Sequence, residues 1–320
     1  MVMDLRIFVE PQQGATYEQQ VKMAQKAEEQ GFSAFFRSDH FARIGGGDPG
    51  PGPTDSWVTL GAIARETSAI RLGTLLTSAT FRHPGPLSIA VAQVDQMSSG
   101  RVEFGLGAGW FEEEHRYFGI PFPSLAERFE RLEEQLTIFT GMWTTPEGQT
   151  FSFQGRHYQL EDAPLVTRPV QRPHPPIIVG GMGARKTLSL AARFAQEYNA
   201  PFSSVQRCAE QFAAFDLALA EVGREPTAVV KSTALTTCVG SNSHVLERRL
   251  ATIGRSPDES AENVLVGTGT QVLERLREYE RAGIERVYLQ VFDIDDLDHI
   301  AEIGETVLQR LWRGRIFVTE

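Results

Sequence analysis

Short apolar runs alternate with amphipathic stretches along almost the whole chain. Leu5 to Val9 reads as a first strand. Thr16, with Gln19 at capping-box spacing, opens a helix that Gly31 stops. Ala34-Phe35-Phe36, Ile70 to Leu76 and Val102 to Leu106 supply the second, third and fourth strands. Asp55 caps a helix carrying Trp57, Leu60 and Ala64, and Pro86 begins another with Leu87, Val91 and Val94 on one face. The most regular helix carries Leu125, Phe129, Leu132, Leu136, Phe139 and Trp143 at steps of four and three, an apolar stripe over its whole length.

The rhythm breaks at residues 145–172. Thr150 to Phe153 and His157 to Leu160, joined through Gln154-Gly155, predict a hairpin, and prolines carry the chain onward. Alternation then resumes. Ile177-Ile178-Val179 is the fifth strand, followed by a helix over 184–195. Glu197-Tyr198-Asn199 is the sixth, followed by a helix with Cys208, Phe212, Phe215 and Leu219. Val229 to Val239 is the seventh strand. After a polar stretch, Val272, Leu276 and Tyr279 mark a helix. Val287 to Phe292 is the eighth strand, and a last helix carries Ile300, Ile303, Val307 and Leu311. Strands that are apolar throughout suit a parallel sheet buried on both faces. Eight of them, each with a helix, predict an α/β chain folded as a (β/α)8 TIM barrel. The expectation is one domain over 1–320, with the hairpin inserted between the fourth helix and the fifth strand.

Composition narrows the class. The 320 residues are 41% hydrophobic and 22% charged, the proportions of a folded protein. A net charge of −10 argues against nucleic acid and anionic membrane surfaces as partners. Cys208 and Cys238 are too few for a disulfide framework and read as reduced core thiols. The first residues lack a secretory pattern, and no apolar run approaches the ~20 residues of a membrane span, so a cytoplasmic location is expected.

In a barrel the site lies at the carboxyl ends of the strands. Asp39-His40 there pairs an acid with an imidazole suited to proton transfer, although either side chain could simply anchor the loop. The Gly-rich segment 45–53 is a candidate active-site loop. Leu75, Leu76 and Thr77 end the third strand. Gly107, Ala108 and Gly109 let a flat ligand approach backbone, with Trp110 as a wall. Of Glu112, Glu113 and Glu114, at most one is expected inside. Gly180, Gly181 and Met182 precede a helix, where amides can meet an anion. A tight turn would need the same small residues. Asp293, Asp295, Asp296 and Asp298 lack the Gly and distal Glu of an EF-hand, and no histidines stand at ligand spacing, so no metal is expected.

Taken together these segments resemble the bacterial luciferase-like superfamily, in its coenzyme F420-dependent oxidoreductase branch. The resemblance runs from Asp4 to Leu311. It is carried in order by Gly31 to His40, Arg71 to Thr74, Gly100 to Trp110, Pro175 to Gly181 and Ala282-Gly283-Ile284. It implies a cytoplasmic homodimer of barrels binding F420, with flavin mononucleotide (FMN) as the alternative cofactor. Asp39 then matches an acid near the deazaflavin ring, and His40 the histidine that moves a proton; outside the resemblance, Glu113 or a bound water is the reserve proton group. Leu75-Leu76 match a cis peptide bulging against the ring, and Gly180, Gly181 and Met182 the phosphate-binding segment. Sugar-phosphate dehydrogenases of the family carry a glutamate where this chain has Trp110. The segment Asn199 to Phe202 offers no lysine for a phosphate either. Both departures point to a more apolar substrate, with Trp110 and Phe202 in its pocket. The implied activity is hydride transfer between reduced F420 and a C=C, C=N or C=O group, or the reverse. The alternatives are a two-component monooxygenase using reduced FMN and oxygen, and a cofactor-binding protein without turnover.

Overall fold

The computed structural model describes residues 3–45, 48, 50–164, 167–255 and 262–316. Its strands are β1 (Asp4–Val9), β2 (Ala34–Arg37), β3 (Arg71–Thr74), β4 (Thr77–Ser78), β5 (Val102–Gly107), β6 (Thr150–Gln154), β7 (Gln159–Pro164), β8 (Ile177–Gly180), β9 (Glu197–Asn199), β10 (Val230–Val239), β11 (Val264–Gly267) and β12 (Arg286–Val291). Parallel pairing runs β12-β1-β2-β3-β5-β8-β9, and β10 joins β9 to β12, closing a (β/α)8 barrel. β6 and β7 form the antiparallel hairpin between the helix Leu125–Thr144 and β8.

Each barrel strand falls within a residue of its expected bounds except β3, which stops at Thr74. A cis Leu75–Leu76 peptide follows it, and the chain rejoins the sheet as β4, paired to β5. Two elements after β10 were not expected. The stretch after β10 holds a helix, Ser243–Thr252, and then β11, which pairs with Thr236–Val239. The Thr16–Gln19 capping box and the Asp55 cap both form. The apolar stripe of Leu125–Thr144 divides. Leu132, Leu136, Phe139 and Trp143 are buried in the core, whereas Leu125 and Phe129 face a cavity instead. Within the loop over 45–53, residues 46, 47 and 49 lie outside the described residues.

The barrel interior is layered. At the amino ends of the strands, Arg6 and Arg286 meet Asp4, each at 2.8 Å, and Arg6 meets Glu103 at 2.6 Å. Arg71 also bonds Glu103, and Arg286 bonds Glu197. These cations outweigh burial and hold the Glu103 carboxyl down at about 2. Above them sits an apolar layer of Phe8, Ala34, Phe36, Ile178, Ala234 and Tyr288, against which Leu75 and Leu76 pack. The cavity opens above that layer. Cys208 and Cys238 are buried and unpaired, and burial pushes both thiols up to about 11. Asp296 caps the helix Leu297–Ile303 and pairs with Arg249 at 2.7 Å.

Candidate active site

The carboxyl ends of the strands surround a cavity of about 500 Å3. Asp39, His40, Leu75, Leu76, Thr77, Gly107, Ala108, Gly109, Trp110, Gly180, Gly181, Met182 and Phe202 all line it. Glu113 does not. It is exposed on the short helix Glu112–Tyr117, whose inward face presents Glu114 and His115 instead. The carboxylate that meets His40 is therefore Glu114, and the expectation for Glu113 is corrected accordingly.

His40 follows β2, where Arg37 fixes the strand end from beneath through Gln20 (3.0 Å) and Thr54 (2.8 Å). His40 Nδ1 stands 2.9 Å from Glu114 Oε1, and the Phe41 amide donates to the other oxygen at 2.9 Å. Trp110 and Phe111 contact the imidazole edge-on, with centroids at 5.7 and 6.1 Å. Burial pulls the imidazole pKa down. The hydrogen bond and charge of Glu114 outweigh it, with Glu10 and Asp39 adding, and the net shift is upward.

Asp39 is buried and fully engaged. Thr77 donates to Oδ2 at 2.9 Å, and Arg82 grips both oxygens, reaching Oδ1 at 3.1 Å and Asp55 at 2.6 Å. This ion pair fixes the loop between β2 and the helix Ser56–Glu66. Leu76 fills the gap between two strands without side chains there: a Cβ on Gly180 would sit 2.9 Å from Leu76 Cδ1, and one on Gly107 3.2 Å from it. Gly181 takes φ 130°, open only to glycine in practice. Beyond it, the helix Lys186–Phe194 has no side-chain cap and no acid in its first turn, an end suited to an anion. Phe202 adopts φ 50°, rare for an aromatic residue. Its amide donates to Ala234 O at 2.8 Å, and Asn263 donates to its carbonyl at 2.9 Å.

Sequence reasoning missed Glu10, Glu114 and Arg82. Glu10 follows β1 and lines the cavity beside His40. Gln290 Nε2 donates to its Oε1 at 2.7 Å and Gln12 Nε2 to its Oε2 at 2.9 Å. Burial raises its pKa, with His40 and the amides opposing. For Glu114 a signal existed: Phe111, Glu114 and His115 stand at the i, i+3, i+4 spacing of one buried face.

The cavity has an imidazole held by a carboxylate, an apolar platform, glycine-lined backbone and an uncapped helix amino end. A group with a flat ring and a phosphate fits these parts. Comparison with known proteins bears on which. The chain is 36% identical over 176 residues to an F420-dependent glucose-6-phosphate dehydrogenase of Microbacterium testaceum, covering 54% of this chain and 49% of that one. It is 30% identical over 223 residues to an F420-dependent hydroxymycolic acid dehydrogenase of Mycobacterium tuberculosis, covering 69% and 59%. The chain spans about half the length of the curated relatives it matches. An F420-dependent secondary alcohol dehydrogenase solved with an F420–acetone adduct shares the fold, with a TM-score of 0.82 at 20% identity, over 96% of this chain and 99% of that one. A family profile described as luciferase-like monooxygenase matches residues 1–263, and the chain belongs to that family.

Proposed function

We propose that the protein is an F420-dependent oxidoreductase that moves a hydride to or from a small, largely apolar organic molecule. The observation that carries this reading is the assembly of His40, the Leu75–Leu76 platform and the Gly180–Met182 segment around one cavity. The names of the F420-dependent relatives support the choice of cofactor.

When bound, the deazaflavin supplies or accepts the hydride. The chain supplies the rest. Gly180, Gly181 and the amino end of Lys186–Phe194 hold the phosphate. Leu75 and Leu76 support the ring, and Asp39, pinned by Arg82 and Thr77, keeps that wall rigid. Trp110, Leu125 and Phe202 line an apolar entrance that excludes water from the reacting atoms. His40, held by Glu114, gives a proton to a substrate heteroatom or takes one from it. No lysine or arginine lines the cavity among the described residues, which disfavours a sugar phosphate.

Titration of the purified protein with F420 and with FMN tests the reading. Micromolar or tighter binding of the deazaflavin is expected. Tight FMN binding with no response to F420 would replace it with the monooxygenase. We further propose a homodimer, supported by the apolar groove lined by Val58, Ala62, Leu87 and Val94 between the helices Ser56–Glu66 and Pro84–Met97. Sedimentation velocity decides that point. The unpaired thiols suit a cytoplasmic location.

A further inference from the structure

We propose that Glu10 selects substrates carrying a positively charged nitrogen, an amine or iminium, at the reacting carbon. The inference rests on the proposed hydride-transfer reading and deepens it by naming a substrate class. Its basis is the pairing of charges around the cavity. Asp39 and Asp55 share Arg82, and Arg37 stands close enough to both to feel their charge. Glu114 takes His40. Glu10 is met by uncharged donors, the amides of Gln12 and Gln290. Even with His40 protonated, one imidazolium faces two carboxylates, Glu10 and Glu114.

Those amides are themselves locked. Ser38 donates to Gln12 Oε1 at 2.5 Å and Thr236 to Gln290 Oε1 at 2.7 Å, so each amide turns its N–H toward Glu10. The arrangement orients the carboxyl group without supplying a counter-charge, so an entering cation favours its ionised form. Burying a carboxylate with no counter-ion is unfavourable, and a cation entering the cavity relieves that cost. The apolar walls strengthen the attraction by keeping water away. An anionic substrate meets the opposite field.

An iminium suits the chemistry as well. It takes the hydride at carbon while the C=N pair moves onto nitrogen, giving a neutral amine that His40 or solvent then protonates. The hydride comes from the reduced deazaflavin, so the step needs no other reductant.

The test uses the full chain and its Glu10→Gln variant. A saturated cyclic ammonium and a neutral cyclic ketone of equal size are titrated calorimetrically, without cofactor. Wild type is expected to hold the ammonium at least about tenfold tighter, and E10Q to lose that preference. With F420 bound, the ratio of turnover on a cyclic iminium to turnover on the matched ketone is expected to fall about tenfold or more in E10Q. Equal ratios in the two proteins would overturn the inference. So would a wild-type preference for the ketone, which decides the matter even if E10Q does not fold. Failure to bind F420 would overturn the proposed function instead, since the ammonium titration needs no cofactor.

Discussion

At the amino end of the barrel, Arg6, Arg71 and Arg286 face Asp4, Glu103 and Glu197. At the carboxyl end, Arg37, Arg82 and His40 face Glu10, Asp39, Asp55 and Glu114. Both sets are largely buried, and the two are separated by one apolar layer. They differ in closure. At the floor every carboxylate has an arginine, and the cluster is roofed by rings, with Arg6 stacked 5.6 Å from Phe36 and 5.7 Å from Tyr288. At the mouth one cation is a histidine, whose charge is conditional, and one acid has only amides. A closed set of charges fixes a structure. An open one has a valence left for a ligand or a proton.

The contrast breaks most readily at Glu103. Glu103→Ala leaves three arginines short of a partner and should lower stability by about 3–5 kcal/mol in urea unfolding. The folded fraction should still bind F420. Acid provides a second view. Glu103 is held at about 2, below the ordinary carboxyl value of 4.5. Its stabilising contribution is complete above 4.5 and is lost as pH falls toward about 2. Glu103→Gln should flatten that part of the stability–pH curve.

His40→Ala is the counterpart at the mouth. Turnover should drop by about 10²–10⁴-fold with F420 affinity and melting temperature nearly unchanged. Loss of folding along with activity would mean that this end too is a structural clamp. A smaller effect sharpens the point. Glu114 raises the His40 pKa, so imidazolium persists to higher pH and proton donation fades as pH rises through that raised value. Glu114→Gln should move this limb of the pH–rate profile to lower pH. The smallest expected change is at Glu113. Glu113→Gln should leave turnover within about twofold and stability within about 0.5 kcal/mol, as for other exposed sites.

The barrel was legible because strands such as Ile177-Ile178-Val179 are apolar on both faces and their helices carry clean stripes. β11 escaped because Val264-Leu265-Val266 is a short run after a polar stretch, and its pairing with Thr236–Val239 is a long-range fact. The glycine segments and His40 were readable as local motifs at strand ends. Arg82 was not, because its bond to Asp39 spans 43 residues and nothing in Phe81-Arg82-His83 announces it. Glu10 was not legible for the same reason: Gln290 reaches it from across the closing seam of the barrel. Helical phase separates Glu113 from Glu114, and the Phe111, Glu114 and His115 spacing that marks the buried face spans barely more than one turn.

β11 has a consequence of an evolutionary kind. It bonds β10 beyond the level where β9 has ended, since Asn199 pairs with Ser232 and β11 begins at Thr236. It takes no share in closing the ring. Asn263, just before it, nevertheless holds the carbonyl of Phe202 in the cavity wall. β11 therefore stands outside the strands that close the cylinder, while a change at Asn263 bears directly on one aromatic residue of the cavity wall. A lineage can alter the cavity wall at that contact without touching a strand of the closed ring.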